Sequence, residues 1–262
     1  MGTFSGKRAL VTGAAIGIGR QVARTLAARG AQVTAVDRDP AVDRVADGLD
    51  LDDGGLVPLR VDLADAGELG RLGTLLSEQP TDILIPAAAA YPPEGGFATA
   101  GIEHWDTVLR VNVTALGVLS AAMVRGLRDA GRGGAIVTFG SLQESLPVPG
   151  YGPYVTTKGA ITAATKALAV ELAGTGVRVN CVAPGVVNTE TSGRTLGGAA
   201  WGEKQQPPAL LDRAGTPADV AEVVAFLASD AAAYVHGAVV PVDGGRRLSR
   251  RNDPSSERVV PW

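Results

Sequence analysis

The chain has 262 residues, 45% hydrophobic and 19% charged, with a formal net charge of −3, a composition that suits one large folded core and excludes a disordered chain. The slightly acidic balance gives no general attraction to nucleic acid or anionic lipid, so neither is expected as a partner. The opening residues "MGTFSGKR" lack the apolar core of a secretory signal, and no uninterrupted apolar run approaches the roughly 18 residues of a membrane span, which points to a cytoplasmic protein.

The first predicted strand, "KRALVTG" (7–13), leads into "TGAAIGIG" and a helix over 17–29. Three glycines between a strand and a helix leave backbone amides and the positive helix end free for a pyrophosphate. Gly13 permits the tight turn, Gly17 the close approach of phosphates, and Gly19 the packing of helix on strand; Ile18 belongs to the same contact. The second strand, "AQVTAVD" (31–37), ends on Asp37, where a carboxylate can accept from adenosine ribose hydroxyls and would repel a 2′-phosphate. This favours NAD over NADP, although Arg38 next door partly offsets that charge. The third strand, "LVPLRVD" (56–62), places Asp62 near the adenine edge.

A helix follows over 65–78, then a strand at 82–87 and a long helix over 102–130 with Asn112 in its middle. The fifth strand, 134–141, ends on Ser141, and a helix over 154–173 carries Tyr154 and Lys158 in "YVTTK". Their spacing sets both side chains on one helix face about a turn apart. The sixth strand, 177–185, holds the one cysteine, Cys181, read as a buried structural thiol. After it come the turn "VAPGVVNT", an irregular segment 190–212, a helix over 217–229 and a last strand, 238–245. These strands are apolar on both faces and alternate with helices. The expected architecture is therefore α/β: a single doubly wound, Rossmann-type domain over 1–245 with a parallel sheet of about seven strands. The arginine-bearing tail 246–262 is expected to be solvated. His104 and His236 have no companion ligands, so no metal site is expected.

The Tyr154–Lys158 pair suits proton transfer: a free tyrosine, with a pKa near 10, is a weak base at neutral pH and needs a cation to help it. A cation about 4 Å away at an effective dielectric near 20 contributes roughly 4 kcal/mol, an upper figure because burial opposes it. Lys158 supplies that cation for Tyr154.

The TGxxxGxG turn, Asn112, Ser141, the Tyr154–Lys158 pair and the later Pro184–Gly185 turn resemble the short-chain dehydrogenase/reductase family, in order and over about residues 7–245. The resemblance implies that Lys158 also binds the nicotinamide ribose, Ser141 the substrate oxygen, and that Asn112 holds a water extending the proton relay. It implies that the Val187 backbone and Thr189 hold the carboxamide and phosphate side of the cofactor, and that the protein is a homotetramer or homodimer built through its long helices and last strand. One departure stands out: Pro86-Ala87-Ala88-Ala89 replaces the family's Asn-Asn-Ala-Gly, so the fourth strand is expected to end at Ile85 with altered adenosine-side binding.

Segment 190–212 is the expected substrate cover. With Gln143, Glu144, Tyr151, Arg194 and Trp201 it implies a pocket for a small polar, hydroxylated molecule. The sequence thus reads as an NAD-dependent alcohol dehydrogenase or ketone reductase. An NADP-preferring carbonyl reductase and a non-catalytic cofactor-binding regulator are the alternatives.

Overall fold

The run Arg8–Thr12 is buried over its last four residues, as a strand covered on both faces must be. The computed structural model describes residues 2–51, 55–90, 96–195 and 209–249, with backbone alone for 193–195. Its elements are β1 (Arg8–Thr12), α1 (Gly17–Ala28), β2 (Gln32–Asp37), β3 (Leu56–Arg60), α2 (Ala66–Glu78), β4 (Ile83–Pro86), α3 (Ile102–Leu109), α4 (Ala115–Asp129), β5 (Gly134–Phe139), α5 (Gly152–Glu171), β6 (Val177–Pro184), α6 (Glu190–Thr195), α7 (Pro217–Ala228) and β7 (Val239–Val242). The seven strands form one sheet in the order β3-β2-β1-β4-β5-β6-β7, every pair parallel. The expected doubly wound, Rossmann-type architecture is what the chain adopts. Strand order reverses between β1 and β4, and the crevice beyond their carboxyl ends is the ligand position of such sheets.

Two apolar layers sandwich the sheet. Val22 and Leu26 of α1 and Val220, Val224 and Leu227 of α7 bury one face; Leu69, Leu72 and Leu76 of α2 with Leu119, Met123 and Leu127 of α4 bury the other. Helix starts follow local chemistry. Asp65 caps α2 by accepting from Glu68 N (2.8 Å), and Thr216 and Asp219 form a reciprocal capping box at α7, with Pro217 in its first turn. The helical run Ile102–Asp129, 28 residues with a stretch of 18 whose mean hydropathy is 1.6, is long and apolar enough to cross a membrane by composition; here α4 packs on α2 and β4, and α3 on α5.

Several boundaries differ from the sequence reading. β3 stops at Arg60 and not Asp62, because Asp62 turns to accept from Ala64 N (2.9 Å) at the approach to α2. β5 stops at Phe139, where Ser141 opens a tight turn over Leu142–Glu144. β7 stops at Val242, since Gly244 and Gly245 take left-handed φ values of 57° and 78°. β4 includes Pro86, one residue beyond the expected end. The missing N–H costs little there: β1 pairs along β4 as far as Pro86, whereas the β4–β5 ladder ends two residues earlier, at Leu84. The segment expected to be irregular from 190 begins with the helix α6. The tail's first turn also folds back, Arg246 being buried and Asp243 accepting from the amides of Gly245 and Arg247; Arg250 and Arg251 lie outside the described residues.

Candidate active site

Gly13 takes φ +70°, and a Cβ there would lie 2.7 Å from the backbone of Ala88, so the turn after β1 presses against the loop after β4. A Cβ on Gly19 would meet the Gly13 carbonyl oxygen at 2.1 Å, which is the close helix-on-strand packing expected of it. Gly19→Ala should therefore cost about 2–3 kcal/mol by forcing α1 off β1, checked by urea denaturation; an unchanged midpoint would contradict this packing.

Gly17, with φ +59°, opens α1, and Ile16 before it offers no side-chain cap. The first-turn amides are thus left for an anion. Gly17 N donates to Glu190 Oε2 (3.1 Å), and Arg20 Nη2 pairs with Glu190 Oε1 at 2.5 Å. A carboxylate from 173 residues away takes the place expected for a phosphate. Thr189 lies beside Gly17, with its methyl 3.5 Å from where a Gly17 Cβ would be. Its hydroxyl accepts from Ser192 N (3.1 Å), starting α6, while Val187 bridges to Gly215. Half-buried Ile18 packs onto the α1 side of the core.

Asp37 stands at the end of β2, as expected. Its Oδ2 accepts from Ala15 N (3.0 Å) and its Oδ1 from Asp39 N (3.0 Å), which pins the glycine turn to β2 and leaves each oxygen a second lone pair. Asp62 faces Arg38 at 3.7 Å across an exposed gap.

Beyond β5 and α5, the hydroxyls of Ser141 and Tyr154 are hydrogen-bonded. Lys158 Nζ donates to Phe139 O (2.9 Å) and lies 5.3 Å from the Tyr154 ring centroid. All three residues are buried. Burial holds the Tyr154 phenol up at about 12, the Ser141 hydrogen bond working against it. Burial likewise pulls the Lys158 ammonium down to about 8, opposed by Cys181 and Glu144. Desolvation, and not the Coulombic lowering by Lys158 expected from sequence, decides the Tyr154 shift in this state.

Asn112 occupies a π-helical turn, Arg110–Thr114, within the long helical run. Its Oδ1 accepts from Ala90 N (2.7 Å), and its Nδ2 donates to Ala90 O (3.3 Å) and Thr157 Oγ1 (3.0 Å). Thr157 Oγ1 in turn donates to Tyr154 O (2.7 Å). Asn112 thus stitches the loop after the Pro86-Ala87-Ala88-Ala89 segment to the helix turn that carries Tyr154. Thr12 Oγ1 ties the same segment to β1 by accepting from Ala88 N (3.1 Å).

Tyr151 stacks edge-on to Tyr154, with centroids 6.5 Å apart. Gln143, two residues after Ser141, donates from its backbone to Ser141 Oγ (3.1 Å); its buried side-chain Oε1 has no partner among the described residues. Glu144 is turned to α5, where its Oε2 accepts from Thr162 Oγ1 at 2.5 Å. The side chain of Arg194 and all of Trp201 lie outside the described residues. Cys181 is fully buried, its thiol pushed up by burial, and its Sγ accepts from Gly140 N (3.1 Å). His236 ties β6 to α5, accepting from Val179 N (3.1 Å) at Nδ1 and donating from Nε2 to Ala169 O (2.7 Å). Thr157, Thr162 and Glu190 escaped the sequence reading. Only the first carried a signal, its place inside "YVTTK".

A family profile described as "Enoyl-(Acyl carrier protein) reductase" matches residues 13–247. The chain is 36% identical over 250 residues to mouse (Mus musculus) dehydrogenase/reductase SDR family member 4, covering 92% of this chain and 88% of that protein. It is 39% identical over 251 residues to L-xylulose reductase of Bos taurus, covering 92% and 97%. A crystal structure of a putative 2-deoxy-D-gluconate 3-dehydrogenase from Agrobacterium tumefaciens with bound NADP superposes with a TM-score of 0.81 at 33% identity, covering 93% of this chain and 98% of that one. With the glycine turn, the Ser141–Tyr154–Lys158 cluster and the all-parallel sheet, these likenesses show that the chain belongs to the short-chain dehydrogenase/reductase family of oxidoreductases, whose members bind nicotinamide cofactors and act on small molecules.

Proposed function

We propose that the protein is an NAD-dependent dehydrogenase that interconverts a secondary alcohol and its ketone, with a small polar, hydroxylated substrate. The observation that carries this reading is the hydrogen-bonded Ser141–Tyr154 pair with the Lys158 ammonium over the tyrosine ring. The residues at the β1–α1 turn fit a dinucleotide: α1 has no side-chain cap of its own, and its Gly17 amide already takes a carboxylate. Gly13, Gly17, Ile18, Gly19 and Thr189 would hold the diphosphate, Asp37 and Asp62 the adenosine, Val187 the carboxamide, and Lys158 the nicotinamide ribose. The bound nicotinamide would supply the hydride acceptor or donor. In oxidation, Tyr154 Oη takes the proton from the carbinol oxygen while Ser141 Oγ donates to that same oxygen and fixes its position. Lys158 keeps a positive charge beside the phenolate that accepts this proton and becomes the neutral phenol, and Asn112 holds the β4 loop and α5 in register and anchors the outer end of the relay.

The orphan Oε1 of Gln143 supports a hydroxylated substrate, because a buried acceptor gains most from a donor brought by the ligand. Tyr151 and Gln143 flank the reacting groups; Arg194 and Trp201 remain proposed substrate contacts, whereas Glu144 is committed to Thr162. Asp37 at the β2 end supports NAD: a 2′-phosphate there meets a like charge worth roughly 1–2 kcal/mol, about tenfold in affinity. The bound NADP of the solved relative and the exposed Arg38 support the competing NADP reading. Fluorescence titration with NADH and NADPH separates the two. Our reading expects NADH to bind at least about tenfold tighter, and the reverse order would replace it with an NADP-preferring carbonyl reductase. Turnover tested on a panel divided between polyols and apolar alcohols tests the substrate class, apolar preference counting against it.

Glu190 is expected to compete with the diphosphate at α1. Glu190→Gln should tighten NADH binding about threefold to tenfold by removing the anion from that amide. Equal or weaker binding would show that the two do not compete. For assembly, the exposed Gly159, Ala163, Ala167 and Val170 line one side of α5, and β7 is an edge strand; both support a homotetramer or homodimer, tested by light scattering.

A further inference from the structure

We propose that Thr162 and Glu144 are positioning residues: the hydrogen bond between them fixes the Ser141 turn against α5 and so holds the Ser141 hydroxyl on Tyr154. Tyr154, Lys158 and Thr162 follow one another at four-residue steps along α5, which lines them up on one side of the helix. Each reaches the chain at the end of β5. Tyr154 bonds Ser141, Lys158 Nζ donates to Phe139 O (2.9 Å), and Thr162 Oγ1 donates to Glu144 Oε2 (2.5 Å). The third contact lies directly against the residue before Ser141: a Cβ on Gly140 would stand 3.1 Å from Thr162 Oγ1 and 3.5 Å from Glu144 Oε2. The absent side chain is what lets the bond form there.

The turn passes this restraint on to Ser141. Glu144 N donates to Ser141 O (3.1 Å) and Gln143 N to Ser141 Oγ (3.1 Å), so Ser141 through Glu144 form one hydrogen-bonded unit with its far end tied to Thr162. The proposal rests on the hydride-transfer reading, and that reading shows why a third link matters. A carbinol oxygen draws on the hydroxyls of Ser141 and Tyr154, and a nicotinamide ribose draws on Lys158. Both links closest to the reaction are therefore shared with ligands, while the Thr162–Glu144 bond is made by groups that have no part in the chemistry. It keeps the strand end and the helix at one spacing while the other two contacts change partners. The bond requires only a donor on α5 and an acceptor on the turn.

The test reads Tyr154 without cofactor and then with it. Protein carrying ¹³Cζ-labelled tyrosine gives NMR signals from Tyr91, Tyr151, Tyr154 and Tyr234, and Tyr154→Phe identifies the one of interest. Ser141→Ala marks where that signal goes once the serine hydroxyl is removed. Thr162→Val, which keeps the branched shape but not the donor, should move it in the same direction, and Thr162→Ser should return it to the wild-type position. In turnover, Thr162→Val should lower kcat about threefold to tenfold, with NADH affinity changed less than about twofold. Glu144→Ala should act alike, and the double variant should lose no more than the larger single loss. A contact that serves stability alone would lower the urea midpoint and leave the Tyr154 signal in place. An unmoved signal in Thr162→Val, or single losses that multiply in the double variant, would overturn the proposal. A wild type that transfers no hydride, although its Tyr154 signal responds to Thr162→Val, would instead overturn the hydride-transfer reading and leave the hold on Ser141 standing.

Discussion

Tyr154→Phe should lower kcat by roughly 10²–10⁴-fold, the range that a positioned general acid–base group contributes, with dinucleotide affinity changed less than about threefold. The ring stays in its buried place and keeps its edge-on contact with Tyr151, while the hydroxyl that bonds Ser141 is lost. The split between the two readouts is the substance of the prediction. A structural role would reduce binding and stability along with rate, whereas loss of a proton carrier reduces rate alone. In the unliganded protein, burial holds this phenol up at about 12, so at neutral pH it carries its proton and is ready as a donor for ketone reduction. Alcohol oxidation needs the phenolate and should therefore gain rate as pH rises toward the alkaline range, until Lys158 loses its charge. Retained oxidation in the phenylalanine variant would remove Tyr154 from the mechanism.

Lys158→Met is expected to abolish turnover and yet stabilise the fold by about 1–2 kcal/mol at pH 7. A buried ammonium whose midpoint falls from 10.5 to about 8 binds its proton less well folded than unfolded. The unfolded chain then holds more protons between those values, so wild-type stability rises with pH through that window. At pH 7 the full cost is present, on the order of 3 kcal/mol from the two midpoints, offset in part by the hydrogen bond to Phe139 O and the contact over the Tyr154 ring. The advantage of the methionine variant should shrink as pH climbs from 7 to 10. Urea denaturation at several pH values reads this directly. A variant less stable than wild type at pH 7 would mean that the Lys158 contacts outweigh its desolvation.

Much of this was legible because it is encoded locally. Runs apolar on both faces gave parallel strands, and the four-residue step from Tyr154 to Lys158 placed both on the same side of α5. Three glycines between an apolar strand and a helix located the cradle for an anion. What escaped depends on the chain returning to itself. Glu190 reaches Gly17 across 173 residues, and Asn112 reaches Thr157 across 45; no periodicity encodes either meeting. Glu144 followed Ser141 closely and was read as a substrate contact, but the fold turns it to Thr162, and neither residue alone signals that direction. Pro86 was expected to cut β4 short. The strand survives because β1 and not β5 pairs with it at that level. The sign of the Tyr154 shift also needed the structure, since the Coulombic gain could be estimated from spacing while the opposing burial could not.

The central claim is that this site moves a hydride between a carbinol carbon and nicotinamide, and isotope transfer tests it most directly. A secondary polyol bearing deuterium on its carbinol carbon would be incubated with the wild-type protein and NAD, and the reduced dinucleotide analysed by mass spectrometry. We predict one deuterium per reduced nicotinamide, with none acquired from heavy solvent in the reciprocal experiment. Reduced dinucleotide carrying solvent deuterium in place of the substrate's would contradict direct hydride transfer, and with it the role assigned to Ser141, Tyr154 and Lys158.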